Sequence, residues 1–126
     1  MIQVTDEQFY GFVEEGVAAI PERFSSHLDN VAFMVADEPT QAQLAVSGAL
    51  HGRGVLLGLY EGIPLPRPSG GGYSAVLPDV ITLFKHAHEI TSVDLESLRL
   101  AVRQTVWHEV ADYFGLNHGQ IRALEE

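Results

Sequence analysis

Cysteine is absent from the 126 residues. Disulfides, thiolate metal sites and cysteine nucleophiles are thereby excluded, so any metal must be held by His, Asp or Glu. No uninterrupted apolar run reaches membrane-spanning length, and no membrane span is expected. The opening MIQVTDEQFY is acidic and carries no apolar stretch, which argues against a secretory signal. The lack of cysteine fits a cytoplasmic protein. Basic residues are scarce, with 7 Lys and Arg against 17 Asp and Glu, for a formal net charge of −10. Such a surface repels phosphate backbones and anionic bilayers, so neither nucleic acid nor a membrane is expected as a partner.

What is present suits one domain spanning 1–126. With 46% apolar residues, a chain of this length can bury a core without covalent staples. Residues 5–20 read as a helix. Thr5 is placed as N-cap with Gln8 at the capping-box position, and Phe9, Phe12, Val13, Val17 and Ile20 recur at helical spacing. Pro21 ends that helix or opens a short one over 22–29. VAFMV, from Val31 to Val35, has the length of a strand, and GVLLGLY, from Gly54 to Tyr60, reads as a second. Residues 39–50 are ambiguous, with helical propensity weakened by Gly48. A loop follows, EGIPLPRPSGGGY, whose prolines and consecutive glycines over 61–72 forbid regular structure. VITLF, from Val80 to Phe84, reads as a third strand. A long helix is expected from about residue 93 to Phe114, capped by Ser92 or Asp94 and ended by Gly115 in a left-handed C-cap. A short helix over 117–125 can follow. Helix, a few strands, then helix implies an α+β fold.

The chemistry concentrates at the end of the long helix. From Trp107 the chain reads WHEVADYFGLNH, a skeleton of H-E-x-x-D-x-x-G-x-x-H at His108, Glu109, Asp112, Gly115 and His118. Each helical residue advances roughly 100°, so residues four apart nearly eclipse. His108 and Asp112 thus share a face and can grip one ion, with Glu109 beside it. A turn at Gly115 can bring His118 back as a third ligand. Three protein ligands leave a position for water, the pattern of a catalytic zinc site. Zinc lowers the pKa of its water to ~7, and Glu109 is placed to take the proton as general base. Leu95, Leu98, Val102, Val106 and Val110 form the core-facing stripe of this helix. The small Ala101 and Thr105 beside the site leave room for an ion and a substrate. Read blandly, a His-Glu pair is common and Asp112 is a solvated end-of-helix acid; Gly115 and His118 lift the pattern above that reading.

Other residues carry weaker signals. His86 and His88 would share a side if the third strand continued, but read as ordinary surface histidines. Tyr60 and Tyr73 flank the Gly/Pro loop, where a phenol could stabilise an oxyanion; half-buried strand-end tyrosines are the plainer reading. Asp79 caps a turn or orients His108. Trp107 packs against another element.

The chain as a whole resembles the small bacterial zincin-like metallopeptidases, the minimal metalloproteases. The likeness is carried by LLGLYEGIPLPRP from Leu56, YSAVLPDVITLF from Tyr73, TVWHEVADYFGLNHGQIRALEE from Thr105 and DNVAFMVADEP from Asp29. The resemblance implies a small mixed sheet packed against an N-terminal helix and a long C-terminal metal-site helix. It also implies a zinc-dependent hydrolase. The family's usual H-E-x-x-H with a downstream acid is altered here: Asp112 stands at the second helix position and His118 downstream. The exchange keeps two histidines and one carboxylate, a set adequate for zinc or another divalent metal. The expected activity is hydrolysis of short or unfolded peptides, because so small a domain offers only a shallow cleft. The alternative is a catalytically weak or inactive metal-binding or interaction protein on the same scaffold.

Overall fold

The structure, a computed structural model, describes residues 1–51, 54–62 and 78–115. Residues 63–77, most of the expected Gly/Pro loop with Tyr73, lie outside it, as do the helix expected over 117–125 and His118. The elements run α1 (Asp6–Ala18), α2 (Glu22–Ser25), β1 (Val31–Ala36), α3 (Gln41–His51), β2 (Gly58–Glu61), β3 (Asp79–Phe84), α4 (Lys85–Thr91) and α5 (Leu95–Phe114).

Local signals set most boundaries. The Thr5 hydroxyl accepts from the Gln8 amide while the Gln8 side chain accepts from Thr5 N, so both halves of the capping box are made. α3 starts the same way: Gln43 N donates to Thr40 Oγ1 at 3.0 Å and Thr40 N to Gln43 Oε1 at 2.9 Å. That reciprocal pair resolves the ambiguous 39–50 stretch as a helix. α2 is shorter than expected, and the chain reaches β1 through Asn30 at φ 56°, a left-handed turn that Asn tolerates. Gly54, at φ 113°, turns the chain before β2, whose ladder begins only at Gly58. Asp94, not Ser92, caps α5, and Gly115 ends it at φ 75°, as expected.

β3 lies at the centre of a three-stranded mixed sheet, parallel to β1 and antiparallel to β2. Its last four residues, Ile81 to Phe84, are all buried, as befits a strand covered on both faces. Ile81 and Leu83 pack with Phe9 and Val13 of α1 and with Leu98, Val102, Val106 and Val110 of α5 in the main core. Leu95, expected on this stripe, is 44% exposed, because it opens the helix one turn above the contact with α1. Phe84 joins Leu56, Leu59 and Ala87 in a smaller cluster. The fold is therefore α+β, with the long final helix laid against the sheet as expected.

The pair His86 and His88 corrects the sequence reading. The strand stops at Phe84, both residues lie on α4, and His88 is fully buried rather than at the surface. Its Nδ1 lies 2.8 Å from Phe84 O and its Nε2 2.9 Å from Thr105 Oγ1. The ring also packs against Phe9, 5.4 Å between centroids.

Candidate active site

The site forms where β2 meets α5. Gly58 points at the helix, and a Cβ added there would stand 2.6 Å from Thr105 Cγ2 and 3.3 Å from Glu109 Cγ. Glycine thus lets the strand approach the helix more closely than any side chain would allow. Two residues on, Tyr60 N donates to Glu109 Oε1 at 2.9 Å. The carboxyl of Glu109 completes hydrogen bonding along the strand edge while standing at the helix surface. In front of it opens a groove of about 310 Å³, bounded by Leu56, Leu57 and Gly58 on one side and Ala101, Thr105 and His108 on the other. The small neighbours anticipated at 101 and 105 do leave this room.

Glu109 is 3% exposed. Burial, and then the negative charge of Asp112 one turn away, push its carboxyl up to about 7, against the opposing hydrogen bond from Tyr60 N. His108 is half-buried at the groove and Asp112 is exposed on the next turn. Tyr60 is half-buried; its hydroxyl donates to Asp79 Oδ2 at 2.8 Å. Burial and the Asp79 carboxylate push that phenol up to about 12, so it remains a neutral donor. The ring of Tyr60 meets Tyr113 edge-on, 5.7 Å between centroids. Trp107 packs as expected, edge-on to Phe24 at 5.2 Å.

The structure thus brings His108, Glu109 and Asp112 together on the last two turns of α5, and Gly115 turns the chain immediately beyond them. His118 lies outside the described residues, and among those residues no group of three His, Asp or Glu side chains able to hold a metal is formed. The donors that are described nevertheless suit a divalent ion. An imidazole and a carboxylate stand one turn apart, and a carboxyl beside them is raised first by burial and then by a neighbouring negative charge, the second of which a cation would offset. Sequence reasoning missed the contributions of Gly58 and the Tyr60 amide. A glycine inside a strand was the available signal for the first; a backbone donor carries none.

The comparisons agree with this picture. The model of the zincin-like metallopeptidase family matches residues 28–126, and the chain belongs to that family. Such proteins are typically zinc-dependent. The fold is similar to that of a conserved hypothetical protein from Thermo thermophilus, at a TM-score of 0.57 and 24% identity over 87% of this chain and 94% of that one. None of the curated proteins matches this chain by sequence. No described helix is long and apolar enough to cross a membrane.

Proposed function

We propose that this chain is a zinc-dependent peptidase of the cytoplasm that cleaves short or unfolded peptides, with His108, Asp112 and His118 as metal ligands and Glu109 as general base. The single observation that carries the reading is Glu109 itself. A carboxyl next to His108, buried at the edge of an open groove and poised near neutrality, suits reversible proton transfer at physiological pH. A bound divalent ion would supply Lewis acidity toward the scissile carbonyl.

The remaining work falls to the chain's own residues. The Tyr60 amide holds Glu109 Oε1 and fixes the orientation of the carboxyl. Glu109 accepts a proton from the attacking water and returns it to the leaving amine. The groove walls at Leu56 and Leu57 exclude bulk water from one side, and the absence of a Cβ at Gly58 keeps strand and base in contact. The groove is shallow enough that an extended or unfolded peptide fits it better than a folded protein.

Two measurements on the full-length chain test this. Metal content after mild purification should be close to one zinc per chain, and a set of short peptides should be hydrolysed by the parent but not by Glu109→Gln. Zinc without Glu109-dependent cleavage would instead establish a metal-binding protein on a peptidase scaffold. Absence of any tightly bound divalent metal would end the reading altogether.

A further inference from the structure

A second cleft, of about 440 Å³, lies on the other flank of α5, between that helix and the end of α1. Its walls include Ile20, Pro21, Leu100, Arg103 and Trp107. We propose that it is a subsite for an acidic side chain of the bound peptide, received by Arg103 and the indole N–H of Trp107. The proposal rests on the peptidase reading only for the identity of the ligand as a peptide.

Three observations carry it. The first is an unmet donor. Trp107 is 8% exposed, and its Nε1 has no hydrogen-bond partner among the described residues although the atom is buried. Buried donors are rarely left without an acceptor, and the exceptions point to a ligand or water. The second is the distribution of positive charge. Among the described residues the cations are Arg23, Lys85, Arg99 and Arg103. Lys85 is paired with Asp6, and Arg99 with Glu15 and Glu96. Arg103 and Arg23 have no ion-pair partner among the described residues, and Arg103 stands at this cleft. Arg103 lines it, while Arg23 stacks on Phe24, which in turn packs on Trp107. In a chain of net charge −10, a cation left without an acid beside an unmet donor suits an anion. A guanidinium and an N–H match the two oxygens of a carboxylate.

The third observation is continuity. Gln104 lines both this cleft and the groove in front of His108 and Glu109. A ligand can therefore pass from one to the other across a single exposed residue of α5. A helix is ~10 Å across, and an extended peptide covers ~3.3 Å per residue. The acidic residue would accordingly sit about three positions from the bond held at Glu109.

Trp107 is the only tryptophan of the chain, so occupancy of the cleft can be read directly from its fluorescence. The zinc-supplemented Glu109→Gln variant, in which turnover is blocked, is titrated with blocked heptapeptides. These carry either Glu or Gln three residues before or after a central Ala-Ala. One Glu peptide should bind about tenfold more tightly than its Gln counterpart, the scale of one charge-assisted hydrogen bond. Adding Arg103→Gln should erase that preference, while Arg103→Lys, which keeps the charge, should retain part of it. Equal affinity for Glu and Gln peptides, or a preference that survives Arg103→Gln, overturns the proposal. So does a fluorescence change that follows protein concentration instead of peptide, which would assign the cleft to a second copy of the chain. Cleavage of the same peptides by the unsubstituted chain separates the two readings. Arg103-dependent binding without cleavage upholds the subsite and removes the peptidase; cleavage with no acidic preference does the reverse.

Discussion

The two faces of α5 follow opposite rules. On one, Leu98, Val102, Val106 and Val110 are all fully buried against α1 and the sheet, four residues apart and uniformly apolar. On the other, Thr105, His108, Glu109 and Asp112 bring hydroxyl, imidazole and carboxyl groups to the edge of β2. The apolar face gains free energy by leaving water. The polar face offsets part of that gain, because Glu109 is buried with its charge disfavoured by its surroundings. A helix that needed only to fold would carry an apolar or neutral residue at 109. A buried acid beside another acid costs stability, and the peptidase reading accounts for that cost.

Separating the two faces by mutation is the direct way to break that comparison. The largest effect is expected from Glu109→Gln. On the proposed reading, the change should lower peptide hydrolysis by about 10²–10⁴-fold. The amide still offers an oxygen to Tyr60 N and no longer carries a charge to bury, so the unfolding midpoint in urea should hold or rise. A large loss of stability would show that the acid is a structural fixture of the strand edge rather than a functional group. Leu98→Ala tests the opposite face. It should destabilise the fold by ~2–5 kcal/mol through the cavity it leaves. The stoichiometry of bound zinc in the protein that remains folded should not change. Equal loss of metal and stability in this variant would mean that the two faces are not separable.

Gly58→Ala sharpens the comparison at the seam between them. The new methyl would stand 2.6 Å from Thr105 Cγ2, with Thr82 O at 3.2 Å, so strand or helix must shift. A cost of ~1–3 kcal/mol is expected for such overpacking. Activity should fall as well, because the same movement displaces the Tyr60 amide from Glu109. Thr105→Ser removes the offending methyl and keeps the hydroxyl. In the double variant Gly58→Ala/Thr105→Ser, stability and activity should both recover in part, whereas simple additivity of the two changes would rule out the steric account.

The same division explains what could be read from the sequence. The apolar stripe from Leu98 to Val110, the Thr5 capping box and the glycine stop at 115 are local or periodic, and each appears in the structure where expected, Leu95 alone falling outside the core. The helix at α3 was signalled by Thr40 and Gln43 at capping-box spacing, but the small and polar residues that follow masked it. The second strand began four residues late because a run of apolar letters does not reveal the left-handed turn at Gly54. His88 was misjudged because its burial depends on contacts with Phe9 and Thr105, residues 79 and 17 positions away, which no local pattern encodes. The placement of His108, Glu109 and Asp112 on the last two turns of one helix was legible because one helical turn fixes their spacing. The tie between Glu109 and the Tyr60 amide was not, since it exists only after strand and helix have packed.

His88 provides the smallest expected effect and the finest test of how the faces are joined. It lies behind the groove and reaches it through Thr105. The Thr105 hydroxyl is also 2.8 Å from Ala101 O. With Nδ1–H donating to Phe84 O, a neutral ring needs the single Thr105 proton at Nε2. Burial lowers the pKa of His88 below the ordinary 6.5, against the opposing pull of the Phe84 and Ala101 carbonyls. The native state therefore binds this proton more weakly than the unfolded chain does. The stabilisation from burying a neutral ring is complete above 6.5 and is lost as pH falls through the lower native value. Urea midpoints measured from pH 8 down to pH 5 should decline more steeply below 6.5 in the parent than in His88→Gln. The carboxylates common to both proteins contribute equally and cancel in the difference. If the parent instead gains stability relative to His88→Gln as pH falls toward 6.5, the imidazole is held as a cation, donating at both nitrogens while Thr105 bonds Ala101 O. In that case the buried ring brings a positive charge to the back of the groove.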